Sequence, residues 1–233
     1  MSKGMLVDTT RCIGCRACQV ACKRWNAKPV EDTWVTETGT NPPKLSSKTW
    51  TLVDIRQPQQ TDDAMTWSFV KRQCMHCIDP ACVSACPVGA LTKLDNGPVI
   101  YRAERCFGCR YCMIACPFQI PKFEWDSNRP TIQKCEFCAD RLANDIEPAC
   151  AGTCPTQAIA FGEREELLHE AKARIYNASG KYVPHIFGEN EAGGTSWMYI
   201  YDASLEQLGL PANLEMEPYP EFTKGFLLGV PLV

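Results

Sequence analysis

The chain has 233 residues, 45% of them apolar and 22% charged, the composition of an ordinary soluble globular protein with a real core in one or two domains. A formal net charge of −3 gives no sign of the basic footprint of a nucleic-acid binder. No apolar run approaches the roughly 18 residues of a membrane-spanning helix, and Met1 to Asp8 hold neither an apolar targeting core nor a twin arginine.

In chain order, Met5 to Val7 reads as a strand entering Cys12, Cys15, Cys18 and Cys22, spaced C-x2-C-x2-C-x3-C. Residues 25–47 hold Pro29, Gly39, Pro42 and Pro43 and read as irregular, a connection long enough to face a partner. Residues 49–55 and 65–70 alternate in the manner of strands. Cys74, Cys77, Cys82 and Cys86 follow as C-x2-C-x4-C-x3-C, then Pro87. Residues 90–93, 95–97 and 98–101 read as strand, tight turn and strand. Cys106, Cys109, Cys112 and Cys116 repeat the first spacing before Pro117, and Cys135, Cys138, Cys150 and Cys154 read C-x2-C-x11-C-x3-C before Pro155. A short strand is expected after Cys154-Pro155, as after Cys86-Pro87. Residues 163–176 form an amphipathic helix with Leu167, Leu168, Ala171 and Ile175 on one face and a Glu170–Arg174 pair. Residues 196–201 read as a strand, and 205–208 as a short helix ended by Gly209 and Pro211.

The sixteen cysteines fall into four groups of four with none left over. Two groups match the run that binds [4Fe–4S] clusters in bacterial ferredoxins, and two stretch the loop before the third cysteine while keeping the x3-C ending. Two-residue gaps let three thiolates wrap one corner of a cube. A fourth, one helical turn further on, rises about 6 Å and points to a second cluster. Such motifs therefore work in pairs, each lending one cysteine to its partner. A disulfide framework fits poorly in a chain of this length without a secretory signal. Zinc uses C-x2-C pairs but needs neither the third cysteine two residues on nor Cys-Pro after x3. With four cysteines beside it, His76 is read as supporting a site rather than ligating it. Each thiolate-bound cluster carries roughly −2, so four take the total charge to roughly −11. Arg11, Arg16, Lys23, Arg24, Arg72, Arg105, Arg110, Lys134 and Arg141, beside the cysteines, are read as partial compensation or as solvated charge. Trp25, Trp34, Trp50 and Trp125 are read as shields for the clusters or as core packing.

The segments 12–25, 41–43, 73–80, 106–121, 134–141, 147–150, 153–156 and 193–195 resemble the iron–sulfur (beta) subunit of respiratory molybdenum or tungsten formate dehydrogenases, over nearly the whole chain. The cysteine pattern alone is shared with the iron–sulfur subunits of nitrate, dimethyl sulfoxide and polysulfide reductases. The resemblance implies an α+β fold of two nested bacterial-ferredoxin-like 2[4Fe–4S] modules with short strands and helices plus irregular loops. Residues 1–71 and 131–233 would form the outer module with a C-terminal extension, and 72–130 the inserted inner one. It implies four [4Fe–4S] clusters. Cys12, Cys15, Cys18 and Cys154 would hold the first; Cys22, Cys135, Cys138 and Cys150 the second. Cys74, Cys77, Cys82 and Cys116 would hold the third; Cys86, Cys106, Cys109 and Cys112 the fourth. Some relatives continue into a membrane helix or lack one cluster; this chain ends at Val233 and keeps all sixteen ligands.

No catalytic acid–base pair or molybdopterin site is evident, so the expectation is an electron-transfer subunit between a large molybdopterin catalytic subunit and a membrane or other electron-acceptor subunit. The competing expectations are the same wire serving another molybdopterin oxidoreductase or a hydrogenase, and a zinc-stapled interaction module. Lacking a signal of its own, the chain is expected in a membrane-associated complex, exported with its partner to the outer face or else kept in the cytoplasm. Residues 225–233 are apolar, but as a helix they reach only about 14 Å against a hydrocarbon core of about 30 Å, so they are expected to dock on another subunit. Deleting residues 225–233 is expected to weaken association with partner subunits and leave iron content intact, measured by co-purification and iron analysis; unchanged assembly counts against docking.

Overall fold

The computed structural model describes residues 2–34, 36–61 and 64–229. Among them are nine strands and eight helices: β1 (Lys3–Asp8), α1 (Ala17–Trp25), β2 (Leu52–Thr61), β3 (Ala64–Arg72), α2 (Ala81–Ser84), β4 (Leu91–Lys93), β5 (Val99–Tyr101), α3 (Tyr111–Ala115), β6 (Lys122–Phe123), β7 (Ile132–Gln133), α4 (Ala139–Leu142), α5 (Ala149–Gly152), β8 (Ile159–Glu163), α6 (Arg164–Asn177), β9 (Trp197–Ile200), α7 (Leu205–Leu208) and α8 (Glu221–Gly229). Helices and short strands alternate without a dominant sheet, which makes the fold α+β.

The central wall is a three-stranded sheet in the order β8-β1-β9, with β1 antiparallel to β8 and parallel to β9. Met5, Leu6 and Val7 are all fully buried, so both faces of β1 are covered. Because strand side chains alternate, Leu6, Met198 and Ile200 pack on one face against Leu167, Leu168 and Ala171 of α6. Met5, Val7, Ile159, Trp197 and Tyr199 pack on the other, in the core that also contains Cys18 and Cys150. The amphipathic helix expected over 163–176 is thus α6, the lid on the far side of this wall. Its Arg174 pairs with Glu170, as expected, and also reaches Asp8 at 3.2 Å, a buried carboxylate that accepts from the Tyr182 hydroxyl at 2.9 Å.

The other sheets are two-stranded and antiparallel. β2 pairs with β3 with a bulge between Arg56 and Gln59, β4 with β5, and β6 with β7. The strands after both Cys-Pro steps are present, as β4 and β8. β2 and β3 run longer than the alternation indicated, because main-chain pairing continues through Thr61↔Ala64. No helix or strand occurs among the described residues of 26–51. Side chains tie this stretch down: the buried Gln19 donates to the Asn41 carbonyl at 2.9 Å and accepts from the Val53 N–H at 3.1 Å. Lys23 donates to the carbonyls of Pro29 and Lys48, both at 2.9 Å.

α7 opens with a capping box, Ser204 and Gln207 exchanging side-chain and backbone hydrogen bonds, and closes at Gly209 with φ 64°. The apolar C-terminal segment begins within α8, where Phe222 and Gly225 are exposed; residues 230–233 lie outside the described residues. No described helix is long and apolar enough to cross a membrane. Met198 is fully buried between β1 and α6, so Met198→Ala leaves a cavity there. It is expected to cost about 2–5 kcal/mol, seen as a lowered melting temperature of the anaerobically purified protein with iron content unchanged.

Candidate metal centres

The four cysteine motifs share one backbone device. The residue before the second cysteine of each Cys-x-x-Cys is left-handed: Gly14 (φ 67°), His76 (50°), Gly108 (83°) and Phe137 (61°). That reversal turns the loop around its thiols; the Phe137 N–H, for example, donates to Cys135 Sγ at 3.4 Å. A left-handed residue with a Cβ costs about 1–2 kcal/mol. Glycine avoids this at Gly14, where a Cβ would also lie 2.6 Å from the Phe69 ring. At the other two positions the rings are put to use. His76 and Phe137 are each 1% exposed and stack on each other, centroids 5.0 Å apart and planes at 26°. A second left-handed residue follows three of the motifs in Cys-Pro-x-x: Gly89 (60°), Gln119 (54°) and Gln157 (51°). There the turn wraps amides around sulfur, and Ala90 N–H donates to Cys86 Sγ at 3.2 Å. Burial pushes the Cys86 thiol up, but the amides of Leu91, Val88, Ala90 and Gly89 together bring it below its ordinary value.

The cysteines gather around cavities, and each cavity draws on more than one motif. One is lined by Cys12, Cys15, Cys18 and Cys154. A second is lined by Cys22, Cys135, Cys138 and Cys150. A third is lined by Cys86, Cys106, Cys109 and Cys112. The remaining four are neighbours: the Cys77 thiol is pushed up by burial and then by Cys74, Cys116 and Cys82. Cys18 and Cys22 stand one turn apart on α1 and open to different cavities. All sixteen cysteines are unbridged.

Among the described residues, no three His, Cys, Asp or Glu side chains converge tightly enough to hold a single metal ion. The thiols surround spaces rather than points. Four thiols about one closed space suit a polynuclear iron–sulfur group better than zinc. Burial pushes Cys18, Cys22 and Cys112 up to about 12 and Cys138 and Cys116 to about 11, so metal binding must displace protons from these groups.

Two buried lysines, Lys71 and Lys134, and the half-buried Lys93 supply positive charge. Lys71 is 2% exposed and lines both the Cys12 and the Cys22 cavities. Its ammonium donates to Thr51 Oγ1 at 2.8 Å and Gln73 Oε1 at 2.9 Å, both neutral, and lies 4.3 Å from the Trp197 ring centroid. Burial pushes Lys71 down, and the Cys150, Cys18 and Cys135 thiolates more than reverse that. Lys134 is equally buried and donates to the carbonyls of Val99 and Cys135. Lys93 donates to the carbonyls of Gly97 (2.7 Å), Cys77 (2.8 Å) and His76 (3.1 Å), and burial lowers it to about 8. His76 is held well below its ordinary value by burial and by Lys134, Lys93 and Lys71; its Nδ1 accepts from Val99 N–H at 2.9 Å.

Of the basic residues beside cysteines, only Lys134 is buried; Arg24, Arg105 and Arg110 are exposed. Lys71 and Lys93, further from any cysteine in sequence, are the ones that enter. Of the four tryptophans singled out, Trp50 alone lines a cysteine cavity. Trp25, Trp34 and Trp125 are exposed, which removes the core role for them. Trp197, fully buried, lines the same cavity as Trp50. Its signal in the sequence is its place on β9, in register with Met5.

Comparison with known proteins agrees with this chemistry. The chain matches the 4Fe–4S dicluster domain family twice, over residues 11–90 and 65–164. These matches define an iron–sulfur protein with ferredoxin-like dicluster domains. The chain is 42% identical over 233 residues to the formate dehydrogenase-O iron–sulfur subunit of Escherichia coli K12, covering 94% of this chain and 74% of that protein. It is 42% identical over 238 residues to a protein of Nitratidesulfovibrio vulgaris, covering all of this chain but only 63% of that protein's length. It is 37% identical over 240 residues to the hydrogenase-2 operon protein HybA of Escherichia coli O157:H7, covering 90% of this chain and 73% of HybA. The chain belongs to the family of the formate dehydrogenase iron–sulfur subunits.

The glycine positions differ in what a side chain would meet. Gly108→Ala meets only ordinary contact with Phe123 at 3.6 Å, whereas Gly14→Ala collides with Phe69. Both carry the left-handed cost of about 1–2 kcal/mol, so Gly14→Ala is expected to lower the melting temperature more; an equal or smaller drop contradicts the local geometry.

Proposed function

We propose that this chain is an electron-transfer subunit carrying four [4Fe–4S] clusters between a molybdopterin formate dehydrogenase catalytic subunit and a downstream acceptor. The observation that carries the reading is the gathering of sixteen unbridged cysteines into four sets of four that mix motifs. On this reading the sets are Cys12, Cys15, Cys18 and Cys154; Cys22, Cys135, Cys138 and Cys150; Cys74, Cys77, Cys82 and Cys116; and Cys86, Cys106, Cys109 and Cys112. Motif one pairs with motif four and motif two with motif three. The chain then forms two nested ferredoxin-like modules, residues 1–71 with 131–233 outside and 72–130 inside.

Bound clusters supply one-electron redox chemistry at sulfur-ligated iron. The protein's part is to deliver thiolates, exclude water and set the local electrostatics. Cys18, Cys22, Cys74, Cys82, Cys112, Cys135 and Cys150 are buried, which keeps water from much of each site. Main-chain amides at Ala90 and Phe137 donate to thiolate sulfur, stabilising its charge. The buried lysines offset what remains.

Membership of the family supports a larger catalytic partner and a membrane-associated complex, and we place the subunit on the outer face by export with that partner. The likeness to a hydrogenase operon protein favours one alternative, the same wire serving a hydrogenase.

Anaerobically purified protein is expected to hold about sixteen iron atoms, four per cluster. Cys22→Ser is expected to perturb the cluster of Cys135, Cys138 and Cys150 and leave that of Cys12 intact, read by electron paramagnetic resonance. Iron near eight with stoichiometric zinc overturns the cluster assignment, and loss of the Cys12 cluster alone overturns the pairing.

A further inference from the structure

The Cys12 and Cys22 cavities are neighbours that share one lining side chain of opposite charge. Lys71 lines both, is 2% exposed, and has only neutral hydrogen-bond partners, Thr51 and Gln73. A buried ammonium without a carboxylate is expensive unless anions stand close by. The thiolates that would hold a metal group in the two cavities are those anions.

The Cys22 cavity has a further donor. Trp197 lines it and is fully buried, and its indole Nε1–H has no hydrogen-bond partner in the protein. Leaving such a donor unsatisfied in the interior is costly. The same wall carries the Asn26 side-chain amide, 3.6 Å from Cys22 Sγ, and the Phe137 N–H, 3.4 Å from Cys135 Sγ. Donors therefore converge on this cavity from several elements, and Trp197 is the one without an acceptor. The ring that carries it is also the ring over which the Lys71 ammonium sits, so the two residues hold each other in place.

Positive charge and hydrogen bonds to sulfur both favour the reduced, more negative form of a cluster and so raise its potential. We propose that Lys71 and Trp197 are positioning residues that order two neighbouring clusters by potential. Lys71 raises the potentials of both the Cys12 and Cys22 clusters. Trp197, donating Nε1–H to a sulfur in the Cys22 cavity, raises that one further, so an electron shared by the pair resides there. This inference rests on the four-cluster reading above. The step is a one-electron transfer from one cluster to the other: the first is oxidised by one electron, the second reduced by one, and no bond forms or breaks. Lys71 keeps its proton throughout.

The test is a potentiometric titration of the full chain in its purified complex, followed by electron paramagnetic resonance, with iron content measured alongside. The variants are Lys71→Met, Lys71→Arg and Trp197→Phe, and Cys22→Ser identifies the signal of the Cys22 cluster. Lys71→Met is expected to lower two midpoint potentials, each by about 59 mV, the one-electron equivalent of a tenfold change in equilibrium constant. Lys71→Arg, which keeps the charge, is expected to restore them. Trp197→Phe is expected to lower one potential only, that of the signal altered in Cys22→Ser. Unmoved potentials in Lys71→Met or Trp197→Phe, at full iron content, overturn the proposal. If Lys71→Met fails to assemble, Trp197→Phe decides: a shift confined to the Cys22 signal supports the ordering, and no shift overturns it. Failure of the four-cluster reading is separate, seen as iron well below sixteen in the unaltered protein.

Discussion

Negative charge held out of water is what the rest of this fold must accommodate. Burial drives nine of the sixteen thiols towards their neutral forms, several to about 11 or 12. Iron binding requires the opposite state, because the ligand is the thiolate. The protein meets this demand with groups that stabilise anions without neutralising them: main-chain amides turned towards sulfur, and lysines whose ammoniums bond only neutral partners. Lys71, Lys93 and Lys134 all donate to hydroxyl, amide or carbonyl oxygens rather than to carboxylates. A carboxylate partner would quench the positive field that the clusters need. The same arrangement implies that folding and metal binding are coupled, since lysines buried this way lose their counter-charge when the thiols are protonated.

The repeat in sequence becomes a repeat in backbone conformation, and the substitutions within it are informative. Gly14, His76, Gly108 and Phe137 occupy one position in four motifs, all left-handed. Glycine takes it in the motifs that contain α1 and α3, where the loops lie near the surface. In the other two, aromatic side chains take the position and stack on each other in the core. The ring contact and its burial offset the conformational cost, and it joins motif two to motif four directly. Trp197 then packs against Phe137 at 6.0 Å, which carries the contact on to the central sheet. The wall of β8, β1 and β9 therefore sits behind the sites as a stiff support, with α6 sealing its far face.

Much of this was legible from residue order. Cysteine spacing indicates the chemistry, the Cys86-Pro87 and Cys154-Pro155 steps mark the strands that follow, and the apolar face at Leu167, Leu168 and Ala171 marks α6. What resisted reading depends on tertiary register. Arg72 adjoins Gln73 and Cys74 and looks like the better counter-charge, yet Lys71 is the buried one. On β3 the two point to opposite faces, and Arg72 turns to Asp54 at 3.3 Å. Nothing local says which face is inward. Trp197 was hidden for a similar reason: it lies over forty residues from the nearest cysteine, and only its pairing beside Met5 brings it to the Cys22 cavity. The left-handed state of His76 and Phe137 was equally invisible, because neither residue type advertises it.

The short span of α1 between Cys18 and Cys22 ties two sites together more firmly than any loop. One helical turn separates the two thiols by a rise of about 6 Å, so the cavities they line are obliged to be neighbours. Two like charges about 10 Å apart repel by about 2 kcal/mol at an effective dielectric of about 20. On the proposed reading, with a cluster in each cavity, that repulsion works against holding both reduced. A single cation lining both cavities counters it for each site at once, which two surface arginines, exposed and screened, do not. The placement of Lys71 thus follows from the helix: once α1 forces two anionic sites together, the shared wall is where one buried charge has most effect. β3 brings the lysine there, and Tyr199 fixes it, donating its hydroxyl to the Lys71 carbonyl at 2.8 Å while accepting from Gln73 at 2.7 Å. The hydrogen-bonded chain from β9 through Tyr199 and Gln73 to the ammonium makes the electrostatics of the pair a property of the sheet, set when the core folds.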